Sequence, residues 1–515
     1  MPPGAEVRYG GHGVAMTDIR VTPSDAQAGL DRAGPGDTVV LGAGTYRSPL
    51  RLVDRAGTAG RPIELRAEPG AVLDGGVAAE DFRLEANRLA KKVNDGEVPG
   101  FEQGTFPGLY PFILDGRLLL QRCRNVALRN LRLERGWPTL IALDSCQDIL
   151  ISDCEFTDGT FAVGAAGADT YGLTLEDCSW VQDRVPGRMW REIDWTRIHG
   201  NPNDEEDGPI NLAEDWRLFD GDFVRGEGIR GGLTVRRCSV TAAFNGIHLF
   251  NQTLDPALAR DVEVHDCLFR EIRDNILEPE SAAFNWWFYR NEIVNAHKWF
   301  SFECRKSGYF YLFANRAWFN SIPGPPTDKH RGGGVFKLGK KVAAARGPHY
   351  VVHNSFSSRS DYARKGIWPR LSHQANALRL ADASDPVFDH PSNFFGDLTA
   401  PPKTADLRFT TEWTRHAIAM QDDVVRYPGW PEDLRQAGYP LGLTTAADPR
   451  FQAPFTGDLT LAPDSPCRGR APALTLDLPD GGPPWTRPAG ADVGAWQGAA
   501  LFQGPEYRAL SVPVE

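Results

Sequence analysis

Short runs of alternating apolar and polar residues recur through the middle of the chain, and each run is bounded by turn-forming residues. In the run from Gly246 to Phe250, for example, Ile247 and Leu249 flank the polar His248. A period of two is typical of a β-strand with one buried face, and these runs lack the 3.6-residue period of an amphipathic helix. The pattern therefore predicts a protein built from many short strands.

An asparagine or a cysteine recurs in the same local setting, after one apolar run and before the next. Most neighbouring members of this set are 24 residues apart, and the wider steps indicate insertions. A repeat of this length predicts a solenoid, and strand-like segments make it a parallel β-helix, whose coils stack about 4.8 Å apart. Equivalent residues should then form a straight, inward-facing turn column, made of Asn130, Cys154, Cys178, Cys238, Cys267, Asn291, Asn315 and Asn354.

The 515 residues need not divide into several globular domains, because a solenoid grows in one dimension. We predict a single β-helix domain with long insertions, which usually gather on one face and wall a groove. The predicted bounds are an N-terminal extension at 1–20, the β-helix at 21–500, insertions at 79–113 and 181–232, an irregular region at 357–450 and a C-terminal tail at 501–515.

The sequences at both ends of the predicted solenoid resemble those of known proteins. A short helix over Asp25 to Ala33, capped by Ser24, is expected to cover the open end, because unpaired strand edges invite aggregation. The run from Asp25 to Tyr46 is similar to the amino-terminal cap and first coil of the pectate-lyase-like right-handed parallel β-helix proteins. The sequences PDSPCRG at 463–469 and GADVGA at 490–495 resemble the closing coils of that group. The resemblance implies an all-β, right-handed parallel β-helix over about residues 20–496.

Composition narrows the class of protein. A formal charge of −11 argues against a nucleic-acid partner. No apolar run approaches a membrane span, and the first residues lack the apolar core of a secretory signal, which predicts a protein without a membrane partner. As written the chain is expected to be cytoplasmic, or periplasmic or secreted if a leader was removed. Four of the eight cysteines lie in the turn column, so we predict buried thiols rather than disulfides or zinc ligands.

Alternation also predicts a cluster of titratable side chains on the outside of one sheet. With Ile247 and Leu249 inside, His248 points outward, and the same rule turns Glu278 and Glu280 outward in the next coil. Carboxylates stacked one coil apart repel each other, so their retention favours a functional role. The two predicted outward columns are His248, Glu278, Ser301 and Lys337, and beside them Phe250, Glu280, Glu303 and Gly339.

Basic residues follow on the same predicted face, where they would attract an anionic ligand to an otherwise acidic protein. Nearby aromatic residues could offer a flat surface to a sugar ring. We therefore predict an anionic oligo- or polysaccharide as the partner. The candidate substrate-binding residues are His330, Arg331, Lys340 and Trp299.

The Glu278-Pro279-Glu280 strand resembles the calcium-binding Glu-x-Glu strand of chondroitinase B and its alginate-lyase relatives. That resemblance implies that Glu278 and Glu280 bind calcium and that Arg305 assists the leaving oxygen. At the position of the family's catalytic lysine the chain reads Ser-Ala-Ala-Phe (281–284), so the base must come from elsewhere, and Lys337 and His248 are within reach of the predicted column. Glu303 is a further candidate calcium ligand and catalytic group.

These residues favour β-elimination on a uronate-containing glycan, but other reactions stay open. Glycoside hydrolysis needs only two carboxyl groups in different environments, and Glu278, Glu280 and Glu303 could supply them. C5 epimerisation shares the first step of elimination. A noncatalytic glycan-binding β-helix is a further alternative.

Overall fold

A computed structural model shows three long parallel sheets wound into a right-handed parallel β-helix, as the repeat and the resemblance predicted. Each coil contributes one strand to the first, the second and the third sheet in turn. The structure describes residues 17–101, 108–199, 215–319, 324–325, 327–328, 333–338, 349–358, 361–364, 371–380, 418–421, 424–426, 445–454, 457–479 and 481–495.

Within each sheet the strands follow one another in chain order along the solenoid axis. The first sheet contains Asp18–Val21, Thr38–Leu41, Ile63–Ala67, Arg124–Arg129, Gln147–Ser152, Tyr171–Glu176, Gly231–Arg236, Arg260–His265, Ala282–Tyr289, Phe310–Phe313, His349–Val352, Leu371–Gln374 and Ile418–Gln421, with Lys306–Ser307 beside Ala282–Tyr289. The second contains Gly44–Tyr46, Ala71–Asp74, Arg132–Glu134, Glu155–Thr157, Ser179–Val181, Ser239–Ala243, Leu268–Ile272, Glu292–Val294, Arg316–Phe319, Ser355–Ser358, Ala377–Leu380, Val424–Arg426 and Thr445–Ala446. The third contains Leu50–Val53, Gly116–Gln121, Thr139–Asp144, Phe161–Ala166, Asp222–Glu227, Asn245–Phe250, Asn275–Glu280, Lys298–Phe302, Gly334–Leu338 and Asp361–Arg364.

The core of the solenoid is a set of straight apolar columns, because each strand pairs in register with the equivalent strand of the next coil. Stacking equivalent apolar residues removes them from water without interrupting the backbone ladder. One such column of the first sheet is buried throughout and consists of Val126, Ile149, Leu173, Leu233, Val262 and Trp286.

The predicted turn column is present, with one correction at its start. Arg129 pairs with Ser152, so the residue equivalent to Cys154 is Leu131, and Asn130 instead takes the left-handed turn position with φ of 54°. At the other end Asn376 extends the column. The asparagine side chains join consecutive coils, since Asn315 Oδ1 accepts from the Asn291 backbone N–H at 3.0 Å and Asn315 Nδ2 donates to the Phe288 carbonyl at 3.0 Å.

A helix covers the amino-terminal end of the solenoid. The helix Ala26–Arg32 buries Ala26 and Leu30 against the first coil, as predicted, but it starts after Asp25 rather than Ser24. Beyond the last parallel strands the chain forms two antiparallel pairs, Phe451–Ala453 with Asp458–Leu461 and Leu474–Leu476 with Trp485–Arg487. The eight cysteines are all buried free thiols, as predicted.

The insertions leave the solenoid between the second and third sheets. The first lies between Asp74 and Gly116 and the second between Val181 and Asp222, so both rise beside the same edge of the third sheet. They pack on each other through a separate apolar cluster that includes Phe219. Their helices are Ala79–Asn94 and Trp195–Ile198, a π-helix at Arg188–Glu192, and 3₁₀ turns at Tyr110–Phe112 and Arg217–Phe219.

Two predicted boundaries were wrong. The strands Asp222–Glu227 and Gly231–Arg236 belong to regular coils, although the predicted insertion at 181–232 included the first of them and the start of the second. Strands between residues 361 and 446 also continue the sheets through the region predicted to be irregular. Within the part of the chain that the structure describes, no helix is both long enough and apolar enough to cross a membrane.

Candidate active site

The outer face of the third sheet carries the predicted titratable columns. His248 pairs with Glu278, Phe250 with Glu280 and Ser301 with Lys337, which confirms the predicted register. Gly339 lies outside the described residues. The sheet adds a residue that the sequence prediction omitted, because Arg225 pairs with His248 and extends the column by one coil.

Arg225 is the central cation at this end of the column. Its side chain is almost fully buried and lies 2.5 Å from Glu227 Oε1 and 3.7 Å from Asp222 Oδ2. Its guanidinium also stacks over the ring of Tyr110, 3.9 Å from the ring centroid. Because Tyr110 comes from the first insertion, this contact fixes the insertion wall to the sheet.

His248 lies between two carboxyl groups. Its Nδ1 is 3.3 Å from Asp222 Oδ1 and 3.4 Å from Glu278 Oε2, and Arg225 Nη1 donates to it at 2.6 Å. Burial, with repulsion from Arg225, lowers the pKa of His248 to about 3. Burial raises the pKa of Asp222 to about 7, although Arg225 opposes the shift. Near neutral pH the imidazole is therefore uncharged and touches a carboxyl group that can hold the proton.

The two glutamates of the Glu-x-Glu strand also favour protonation. Burial raises the pKa of Glu278, with His248 and Lys337 opposing the shift, and burial raises the pKa of Glu280, with Lys337 opposing it. Glu278 is buried at the bottom of the site, whereas Glu280 is half-buried and faces outward. The strand therefore places a carboxyl group with raised pKa beside His248 and a second one closer to solvent.

Lys337 forms an ion pair with Glu303, with 2.5 Å between Nζ and Oε2. Burial lowers the pKa of the ammonium, but Glu278, Glu303 and Asp274 outweigh burial and the pKa lies above its ordinary value. Lys337 thus remains protonated, which suits charge neutralisation better than the base role predicted from the sequence.

A second buried cation stands at the amino-terminal edge of the same sheet. Lys298 Nζ lies 3.1 Å from Asp274 Oδ1 and 5.7 Å from the ring centroid of Trp195. Burial opposes ionisation of Asp274, yet Lys298, His297 and Lys337 hold its pKa well below the ordinary value. This pair remains ionic, in contrast to the carboxyl groups around His248.

The insertions form the wall above these pairs. Tyr110 donates its hydroxyl hydrogen to Asp220, 3.2 Å from either carboxylate oxygen, and His199 Nδ1 lies 3.4 Å from the same carboxylate. Asp328 holds the short helix of the second insertion by accepting from the Trp195 backbone N–H at 2.8 Å and by pairing with the fully buried Arg273.

The remaining residues predicted to catalyse the reaction or bind substrate lie outside these columns or outside the described residues. Trp299 is buried and packs edge-on against Phe356, so its predicted contact with substrate was wrong. Arg305 is exposed on the turn after the third sheet, with its guanidinium 3.5 Å from the Gln252 carbonyl and from Ser281 Oγ; its predicted catalytic role stays a prediction. The candidate substrate-binding residues His330, Arg331 and Lys340 lie outside the described residues.

Sequence reasoning missed Asp222, Arg225 and Lys298. A signal for Arg225 was present, since Val224 and Gly226 flank it as Ile247 and Leu249 flank His248 in the next coil. Lys298 had no such signal, because it lies at the corner where the chain enters the third sheet and alternation does not hold.

The described residues offer a calcium ion a poor fit. Calcium prefers several converging oxygen ligands, but the ammonium of Lys337 already lies among the carboxylates expected to supply them. Within the described ranges no group of three His, Cys, Asp or Glu side chains converges as a metal site would require. Calcium binding by Glu278, Glu280 and Glu303 stays a prediction that chelation can test.

Comparison with known proteins finds similarity in solved structures only. No family model and no curated protein matches the sequence. The chain is similar to a mannuronic acid specific polysaccharide family 6 lyase from human gut microbiota, with 13% identity, a TM-score of 0.43 and coverage of 85% of this chain and 83% of that one. It is also similar to pectate lyase Pel9A, with 9% identity, a TM-score of 0.40 and coverage of 94% and 97%. A third is the tailspike protein of E. coli bacteriophage HK620 in complex with pentasaccharide, with 10% identity, a TM-score of 0.41 and coverage of 79% and 67%.

Proposed function

We propose that this chain is a carbohydrate-active enzyme that hydrolyses a glycosidic bond in the groove on the outer face of the third sheet. The observation that carries the proposal is the contrast between Glu278 and Glu303. The first is a buried carboxyl group with a raised pKa, and the second is paired with the Lys337 ammonium. Hydrolysis needs this contrast, because one carboxyl group must give a proton while the other acts ionised.

Glu278 is the proposed general acid. In the protonated form it donates to the glycosidic oxygen as the bond to the anomeric carbon breaks. His248 then stands within 3.4 Å of the ionised Glu278, and Asp222 within 3.3 Å of His248. The water that completes the cleavage supplies the proton that Glu278 recovers.

Glu303 is the proposed ionised partner. Its side chain pairs with the Lys337 ammonium, and about a third of that side chain remains exposed at the strand end. A carboxylate in that place can attack the anomeric carbon or activate the water that does so, and in either case water completes the cleavage.

Charge favours an uncharged substrate over a uronate in the part of the groove that is described. Carboxyl groups outnumber basic groups there, and each basic side chain already has a carboxylate partner. The carboxyl groups are Asp220, Asp222, Glu227, Asp274, Glu278, Glu280 and Glu303, and the basic groups are Arg225, Lys298 and Lys337. A uronate would therefore find no unpaired cation among these three basic groups.

A panel of neutral and acidic polysaccharides tests the proposal. We expect new reducing ends without the ultraviolet absorbance of an unsaturated sugar, and we expect Glu278→Gln to slow their formation by about 10² to 10⁴-fold. Cleavage that produces the unsaturated absorbance would replace hydrolysis by elimination, and cleavage of no glycan would overturn the enzymatic proposal.

β-Elimination remains the second candidate because of one observation. Lys337 is protonated and partly exposed, with about a fifth of its side chain accessible, and could neutralise a uronate carboxylate if Glu303 moved aside. Glu280, a half-buried carboxyl with a raised pKa, would then be a stronger base than an ordinary carboxylate.

A further inference from the structure

A second groove lies on the outer face of the first sheet, away from the titratable columns of the third. Its volume is about 490 Å³. The floor is a column of five residues in register, one from each of five consecutive coils. They are Leu150, Thr174, Thr234, Glu263 and Trp287. At about 4.8 Å per coil, this floor extends for roughly 19 Å along the solenoid axis.

Trp287 closes one end of the groove. One face of its indole is covered by Tyr311, at 3.9 Å between ring centroids and 17° between the ring planes. Glu263 precedes it in the column. The indole N–H donates to Asn285 Oδ1 at 2.7 Å, which fixes the ring in place. The aromatic end is therefore preformed and rigid.

The wall beside the floor is polar for a conformational reason. The chain enters these strands through residues with positive φ, a conformation that glycine, asparagine and aspartate adopt most readily. At this position Asp148, Asp261 and Asn285 present short polar side chains, while Gly172 and Gly232 leave space between them. Pro479, from the C-terminal hairpin region, also lines the groove.

We propose that this groove binds an uncharged oligosaccharide, as an accessory site separate from the reaction on the third sheet. Hydroxyl-rich ligands suit the lining, since carboxylates accept sugar hydroxyls and the threonine hydroxyls and the Asn285 amide can donate to them. Trp287 is largely buried and closes the end of the row. Asp261 pairs with Arg260 at 2.7 Å, but no lysine or arginine is among the described lining residues, so the carboxylates of Asp148 and Glu263 disfavour an anionic glycan.

Isothermal titration calorimetry with cellohexaose, xylohexaose, mannohexaose and an oligogalacturonate tests the proposal on the full chain. The Glu278→Gln variant serves as the background, because it slows turnover and its substitution lies on the third sheet, away from the groove. We expect at least one neutral oligosaccharide to bind and the oligogalacturonate to bind much more weakly. Since the assay measures binding, its result does not depend on whether the third sheet is catalytic.

Three substitutions locate the binding. Thr174→Val with Thr234→Val removes two hydroxyls at nearly constant volume and should weaken binding about tenfold. Thr234→Tyr should fill the groove and abolish binding. Thr45→Val, the same change at an exposed position of the second sheet, should have no effect. The proposal is overturned if no neutral oligosaccharide binds, if Thr234→Tyr leaves binding intact, or if the oligogalacturonate binds as tightly as the neutral sugars.

Discussion

The Lys337 ammonium lies 2.5 Å from a carboxylate oxygen of Glu303, and the two residues belong to successive coils of the third sheet. Both were expected on this face, but their pairing changes the role of the lysine. A protonated lysine beside a carboxylate cannot remove a proton from a substrate until it loses its own. The pair instead places a positive charge beside Glu303, the second carboxyl group of the proposed hydrolysis.

Replacing Lys337 by methionine should move the pH profile of activity to higher pH. The ammonium lowers the pKa of Glu278 and Glu280, so its removal lets both rise further, and Glu303 loses its counter-charge. The alkaline limb of a plot of log kcat/KM against pH, which reports loss of the Glu278 proton, should therefore shift to higher pH. Lys337→Arg retains the charge and should keep the profile close to that of the parent protein. An unchanged profile in the methionine variant would show that Lys337 does not act on the catalytic carboxyl groups.

Removal of divalent cations should have no effect on activity or melting temperature, because the Lys337 ammonium already neutralises Glu303 where a cation was expected. Dialysis against EGTA, followed by activity assays with and without added calcium, gives the measurement. Activity that disappears on dialysis and returns with calcium would support the site predicted from the Glu-x-Glu strand and would require Lys337 to move.

Glu278→Gln should lower kcat by about 10² to 10⁴-fold, the usual contribution of a general acid. Glutamine preserves the shape of the side chain but has no proton to transfer. Glu155→Gln provides the matched control, since Glu155 is exposed on a second-sheet strand and has no role in the groove. Equal activity of the two variants would remove Glu278 from the mechanism, provided that circular dichroism shows both to be folded.

Asp222 should make the folded state sensitive to pH. Its folded pKa of about 7 lies above the ordinary value of 3.8, so the stability that it contributes is present at low pH and is lost as pH rises through 7. Asp222→Asn carries no ionisable group and should therefore gain stability relative to the parent as pH rises from about 4 to 8. The upper bound is about 4 kcal/mol.

Urea denaturation of both proteins at the two pH values measures this difference. His248 contributes in the opposite sense, because its lowered pKa costs stability as pH falls below 6.5, but it is present in both proteins and largely cancels from the comparison. If the difference in stability between the parent protein and Asp222→Asn does not vary with pH, Asp222 is not the group that holds the proton near neutral pH.

Much of the fold and half of the site follow from periodicity. Alternation within a strand is local, so His248, Glu278 and Lys337 could be assigned to one outer column from the sequence alone. Alternation does not hold where the chain passes from one sheet to the next. Trp299 therefore packs inward against Phe356, although alternation predicted that it faces outward. Arg225 was missed for another reason, because its strand, Asp222–Glu227, was assigned to the predicted insertion at 181–232.

Pairings between distant segments could not be predicted. The stacking of Arg225 over Tyr110 joins residues separated by the whole of the second insertion, and the contact of Asp328 with Arg273 likewise depends on how loops fold over the sheet. Such contacts decide the protonation states in the groove, since they decide which carboxyl groups are desolvated and which are paired. Sequence periodicity can place a carboxyl group on the correct face but does not give its pKa.

The turn column provides a test of register that is independent of function. Asn315 has no exposed surface, and its side chain bonds the Asn291 backbone N–H, the Phe288 carbonyl and the Asn354 side chain, each at 3.0 Å. Asn315→Ala leaves buried backbone groups without partners and should cost about 2–5 kcal/mol in the free energy of unfolding. Asn130 occupies the left-handed turn position instead, where glycine is favoured, so Asn130→Gly should be nearly neutral. Equal losses in the two variants, measured by urea denaturation, would contradict the register that places Leu131, and not Asn130, in the column.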